Sequence, residues 1–175
     1  VIRRALGEAL PNQAHYFNAS SLYKRFTPAG PDHAQVAASA GMADYFDALA
    51  AHHGIEGDAP TRGQGVHDLM RGHETALLQP LLDHVSAKNS VRLLGPAQAA
   101  GRAPTVALAL KRPGEEVAAE LAAEGIMAGG GDFYAVRALE AMGIDAERGV
   151  LRLSFVHYTD RSETDKLIEA LDKVI

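Results

Sequence analysis

The chain has 175 residues, 47% hydrophobic and 22% charged, with a formal net charge of −5. This is globular composition, enough for one sizeable core or for one domain and part of another. No basic run argues for nucleic acid, no apolar stretch approaches membrane-spanning length, and the lack of cysteine excludes disulfides, thiolate metal sites and a cysteine nucleophile within the chain.

The first residues, Val1-Ile-Arg-Arg4, carry no signal-peptide apolar core, which makes the cytoplasm the default expectation. Residues 1 to 31 show little periodicity. Leu10-Pro-Asn-Gln-Ala-His-Tyr-Phe-Asn18 mixes aromatic and polar residues, and the Pro/Gly content of 26–31 reads as a turn or loop. Such a segment would suit a piece lying across another domain or subunit. From Asp32 the spacing of Val36, Ala40, Ala43, Phe46 and Ala50 predicts a helix, apolar around much of its circumference and so expected to be buried. A Gly/Asp/Pro-rich linker follows over 52–61. A second long helix is predicted from about Arg62 to Lys88, with Pro80 expected to kink or break it.

The remainder changes character. Val91–Leu94 and Thr105–Leu110 read as strands, the second apolar throughout and so central. Pro113-Gly-Glu-Glu116 opens a helix with acidic residues in its first turn, and Gly125 ends it. Ile126-Met127 reads as a short strand leading into Gly129–Gly131. Val136, Leu139 and Met142 mark another helix. Val150 to Tyr158 is a β-prone run carrying one arginine, Arg152. Leu167, Ile168, Leu171 and Val174 then share the face of a closing helix. The order β-β-α-β-α-β-α predicts an α/β small domain, a small mixed or antiparallel sheet with helices on one face.

Chemistry is sparse by residue type. The eight histidines show no zinc-like spacing, and no metal site is expected. Gly129–Gly131 does not complete a dinucleotide fingerprint, since position 134 is Tyr. A loop whose glycines supply positive φ is the simpler account, and with Asp132, Phe133 and Tyr134 it could form a ligand-facing rim. No serine lies in a nucleophile-elbow context. Arg152 leaves two alternatives open. Burying a guanidinium is costly without an anionic partner, so it is either a structural ion pair or exposed on an edge strand, or it is a fork held ready for a carboxylate.

Several stretches together resemble one family. Pro28-Ala-Gly-Pro-Asp-His33 and the following helix through Ala43-Asp-Tyr-Phe-Asp-Ala-Leu49 are similar to the segment after the cofactor lysine in class V aminotransferases and cysteine-desulfurase-like enzymes. Thr105-Val-Ala-Leu108, the Glu115-Glu-Val-Ala-Ala-Glu-Leu121 helix, Asp132-Phe-Tyr-Ala135 and Val150-Leu-Arg-Leu-Ser-Phe-Val-His-Tyr158 resemble that family's C-terminal domain in order and spacing.

The resemblance implies a homodimeric enzyme that uses pyridoxal phosphate and acts on an amino acid. It implies that residues 1–60 are the tail of the cofactor-binding large domain with a connecting helix, and that 61–175 form the small C-terminal α/β domain. It places the Schiff-base lysine and the ring-nitrogen aspartate upstream of residue 1, so the chain corresponds to the C-terminal part of a longer enzyme, holds no catalytic residue and is inactive alone. It gives Arg152 the role of binding the substrate's α-carboxylate, with Tyr134 and His157 beside it. It puts Gly30, Asp32 and His33 on the cofactor side, Gly30 standing where many relatives carry a phosphate-binding threonine. Tyr134 falls where some desulfurases place their persulfide-forming cysteine, which puts sulfur relay by that route in doubt. A non-catalytic small-molecule-binding or regulatory α/β domain is the alternative.

Overall fold

A computed structural model describes residues 2–26 and 32–175. The chain divides into two compact units, Val1–Val66 and His67–Ile175.

The first unit holds α1 (Arg4–Ala9), α2 (His33–Ala38), α3 (Ala40–His52) and the start of α4 (Ala59–Ser86). The helix expected from Asp32 is thus divided at the single residue Ser39, which keeps helical φ and ψ of −62° and −21° and whose hydroxyl donates to the Val36 carbonyl at 2.6 Å. Arg62 reaches Asp47 at 2.8 Å and donates to the Gly57 carbonyl, tying the turn between α3 and α4. The Arg25 guanidinium gathers the carbonyls of Gly7, Glu8 and Leu10, which orders the segment after α1. The burial expected for the apolar helix is not seen: Val36, Met42 and Tyr45 are exposed, because the described residues of this unit offer no layer to cover them.

The second unit is a four-stranded antiparallel sheet, order β1-β2-β4-β3, with strands Val91–Leu94, Thr105–Leu110, Gly129–Gly131 (β3) and Val150–Ser154 (β4). Between them lie α5 (Gly114–Ala123) and α6 (Val136–Ala141), and α7 (Arg161–Val174) closes the chain. Val106 and Leu108 of β2 and Leu151 and Leu153 of β4 point into the main core. There they meet Leu78, Leu81, Leu82 and Val85 of α4, Val117 and Leu121 of α5, and Leu167 and Leu171 of α7. The other face is covered only in part: Leu139 of α6 and Ile144 pack on Val150.

α4 runs through Pro80 without a break. A proline inside a helix costs about 3 kcal/mol. Leu77, Leu78, Leu81 and Leu82 around it are all buried, each contributing about 1.5–3 kcal/mol. Packing outweighs propensity here.

The strand expected at Ile126-Met127 lies instead on the three glycines. An added Cβ on Gly130 would sit 2.2 Å from the Glu115 nitrogen, and one on Gly114 would sit 2.3 Å from the Val150 carbonyl oxygen. The start of α5 therefore rests on the backbone of β3 and β4, and residues without side chains are required at the contact.

α7 is started by Asp160, which accepts the Glu163 N–H while Glu163 accepts the Asp160 N–H, a capping box. The Ser162 hydroxyl, then the Glu163 N–H, hold the Asp160 carboxyl below its ordinary value. A carboxylate whose pKa is depressed by folding stabilises the native state above its unfolded pKa, and that contribution disappears as pH falls through the folded pKa. Asp160→Asn should therefore flatten the acid limb of the Tm-versus-pH curve below the ordinary aspartate range. An unchanged acid limb would show that the cap carries no such linkage.

Candidate functional site

The site is built on β4. The pleat turns Leu151 and Leu153 into the core and leaves Arg152 and Ser154 exposed. β4 is an inner strand, so the arginine does not stand on an edge. Its register partners are Ala107 on β2 and Gly129 on β3. Both are too small to crowd it, and the Arg152 side chain is exposed.

Among the described residues no carboxylate pairs with Arg152 and no acceptor takes one of its N–H groups. Its one close partner is aromatic: the guanidinium carbon lies 4.1 Å from the centroid of the Phe133 ring. The ion-pair alternative therefore finds no partner among the described residues.

Phe133 and Tyr134 both hold positive φ, 52° and 58°, uncommon for bulky residues. The turn is locked by Asp132, whose carboxylate accepts the Tyr134 N–H at 2.9 Å and whose carbonyl accepts the Ala135 N–H at 2.9 Å. It sends Phe133 inward to a half-buried position and leaves Tyr134 fully exposed. His157 is half-buried beyond the end of β4, its ring edge-on to that of Tyr158 at 5.3 Å.

The structure thus joins Arg152 to Phe133, and Tyr134 to the same turn. A cleft of about 320 Å3 lined by Ile126, Met127, Leu153, Phe155 and Lys166 lies alongside β4, and Arg152 is not part of its lining. Phe133 carries no role in the sequence beyond the rim of a glycine loop. Its contact with Arg152 depends on the glycine strand pairing beside β4, and the residue spacing gives no sign of it.

The residues expected on the cofactor side belong to the first unit. Gly30 lies outside the described residues. Asp32 is the N-cap of α2, its carboxylate accepting the N–H groups of Ala34 and Gln35 at 3.0 and 3.1 Å. His33, the first residue of α2, is exposed. The N–H groups of Ala34 and Gln35 are already taken by a carboxylate of the same charge sign as a phosphate, so Asp32 and His33 do not by themselves fit a phosphate group. Among the described residues no cluster of three or more His, Asp or Glu could hold a metal ion. Among them, too, no helix is long and apolar enough to cross a membrane.

Solved structures that share the fold of this chain include the following three. The apo cysteine desulfurase from Thermococcus onnurineus NA1 superposes with a TM-score of 0.55 at 20% identity, covering 67% of this chain and 30% of its own. The cysteine desulfurase CsdA from Escherichia coli, in an S-sulfonic acid form, gives 0.50 at 19%, covering 66% and 29%. A NifS-like protein from Rickettsia africae ESF-5 gives 0.52 at 15%, covering 66% and 32%. The chain therefore spans about 30% of the length of these proteins, and at such identities the likeness speaks for the fold. No curated protein matches the chain. Residues 64–167 match the Aminotransferase class-V family, whose members depend on pyridoxal phosphate. That match does not favour the alternative of a non-catalytic binding domain. With more than half its length inside that match, the chain belongs to the class-V aminotransferase family.

Proposed function

We propose that this chain is the small C-terminal portion of a pyridoxal phosphate-dependent enzyme of aminotransferase or cysteine-desulfurase-like type, in which Arg152 grips the α-carboxylate of an amino-acid substrate. The observation that carries this is the Arg152 guanidinium, which has no ion-pair or hydrogen-bond partner among the described residues and stands on an inner strand beside the small residues Ala107 and Gly129. A planar fork with free in-plane donors matches a carboxylate by two parallel charge-assisted hydrogen bonds. Two bonds fix direction as well as affinity, so the substrate is oriented by the strand.

The cofactor supplies the electron sink for carbanion chemistry. The residues of this chain bind and orient. Tyr134 and His157 line the approach to Arg152, and the family resemblance puts Gly30, Asp32 and His33 on the cofactor side, where Asp32 fixes the start of α2 and does not hold the phosphate. The complete enzyme works as a homodimer in the cytoplasm. Residues 1–60 belong to the large domain and 61–175 to the small one.

The test compares the complete enzyme's amino-acid substrate with its carboxamide. The amide cannot accept two charge-assisted bonds, so its kcat/KM should be lower by about two orders of magnitude, at about 1.5–3 kcal/mol per lost charged hydrogen bond. Equal turnover of acid and amide would rule out carboxylate recognition.

A further inference from the structure

We infer that Phe133 is a positioning residue for Arg152: its ring holds the guanidinium in place while leaving every N–H donor free for a carboxylate. The inference rests on the proposal that Arg152 binds a carboxylate, and it concerns how a long, exposed side chain can do so with a defined direction.

An exposed arginine samples many rotamers, and fixing them on binding weakens the grip. A salt bridge would fix the side chain but would consume its donors. An aromatic face fixes the side chain without consuming donors, because a cation over a ring is held by the ring's quadrupole and no hydrogen bond is used. The 4.1 Å separation of Arg152 and Phe133 is such a contact.

Three further observations show that the ring is held where it is. Phe133 and Tyr134 both sit in the left-handed region, and strain of that kind persists only where the surroundings over-determine it. Asp132 supplies that constraint through its bond to the Tyr134 N–H and the turn closed by Ala135. Gly129 makes room: a Cβ there would lie 3.0 Å from the Phe133 Cζ and 3.1 Å from its Cε1. Gly129 is also the register partner of Arg152. Ring, glycine and guanidinium thus form one assembly on one sheet face. The glycine strand has a second use besides seating α5, in that it makes the space for an aromatic platform.

The test uses the complete enzyme with its arginines labelled with 15N, followed by NMR at the Arg152 Nε–H. Propionate is the probe and propionamide its uncharged counterpart. In the parent, the ring current of Phe133 should displace the Nε–H resonance from that of ordinary exposed arginines. Propionate, and not propionamide, should bind at this resonance. Phe133→Leu keeps an apolar residue with the same backbone demand. It should return the resonance to the ordinary position and weaken propionate by about two- to fivefold, the range expected for an exposed cation–ring contact. Phe133→Tyr should restore both. Gly129→Ala leaves ring and guanidinium present but crowds the ring, and should give a partial loss of both.

A Phe133→Leu variant with an unmoved resonance and unchanged propionate affinity overturns the inference. If propionate binds the Arg152→Gln variant as well as the parent, the carboxylate proposal fails, whereas the resonance comparison still decides whether Phe133 holds Arg152.

Discussion

Arg152→Ala in the complete enzyme should lower kcat/KM for the amino acid by about a hundredfold and abolish the preference for acid over amide. Two charge-assisted hydrogen bonds are removed, and even the low end of about 1.5 kcal/mol each totals about 3 kcal/mol, close to two decades. The fold should be little affected. The side chain is exposed and makes no hydrogen bond among the described residues, while the buried members of β4 are Val150, Leu151 and Leu153. The variant should therefore melt close to the parent and keep the cofactor's absorbance. Arg152→Lys sharpens the test. It retains the charge but not the fork, so it should recover part of the affinity and little of the directional effect, with KM rescued more than kcat. If both variants turn over substrate like the parent, Arg152 does not touch it. If both lose the cofactor's absorbance, the residue serves the fold or the cofactor and not the carboxylate.

Much of the second unit can be read from residue pattern, because its elements bury periodic apolar stripes. Val117 and Leu121, or Leu167 and Leu171, name their helices before any coordinates do. Arg152 stands out for a related reason, as the one charge in a run of β-prone and mostly apolar residues. β3 cannot be read in this way. Three glycines carry no stripe and low strand propensity, and what makes them a strand is the approach of α5, a tertiary fact. The apolar pair Ile126-Met127 suggests a strand, yet Met127 is almost fully exposed. Phe133 is hidden by the same cause, since its place over Arg152 follows from the register of β3 on β4. The first unit is least legible. The break at Ser39 is one residue long and keeps helical φ and ψ, so no apolar spacing marks it, and the apolar stripe of α3 predicts a burial that the described residues of that unit do not provide.

The glycine strand also yields the largest expected effect on stability. Gly130→Ala should destabilise the chain by about 3 kcal/mol or more, the upper part of the range for overpacking. The added carbon would lie 2.2–2.4 Å from Glu115 N, Gly114 C and Glu115 Cα. These are backbone atoms at the start of a helix, and no rotamer change can move them aside. Relief requires α5 to lift, and α5 carries Val117 and Leu121, both fully buried in the main core. A lift would also loosen β3 and with it the turn that holds Phe133, so the carboxylate site should weaken along with the fold. Gly72→Ala is the matched comparison. Gly72 lies inside α4, exposed, with nothing within 4 Å of an added carbon, and replacing a glycine in a helix interior stabilises by roughly 0.5–1 kcal/mol. The same chemical change should thus raise Tm by a few degrees at position 72 and lower it by roughly 10 °C or more at position 130, taking 1 kcal/mol as about 4–8 °C for a domain near 100 residues. Equal and small shifts for the two variants would mean that α5 does not rest on β3 in solution, and the account of why three glycines form a strand would fall with it.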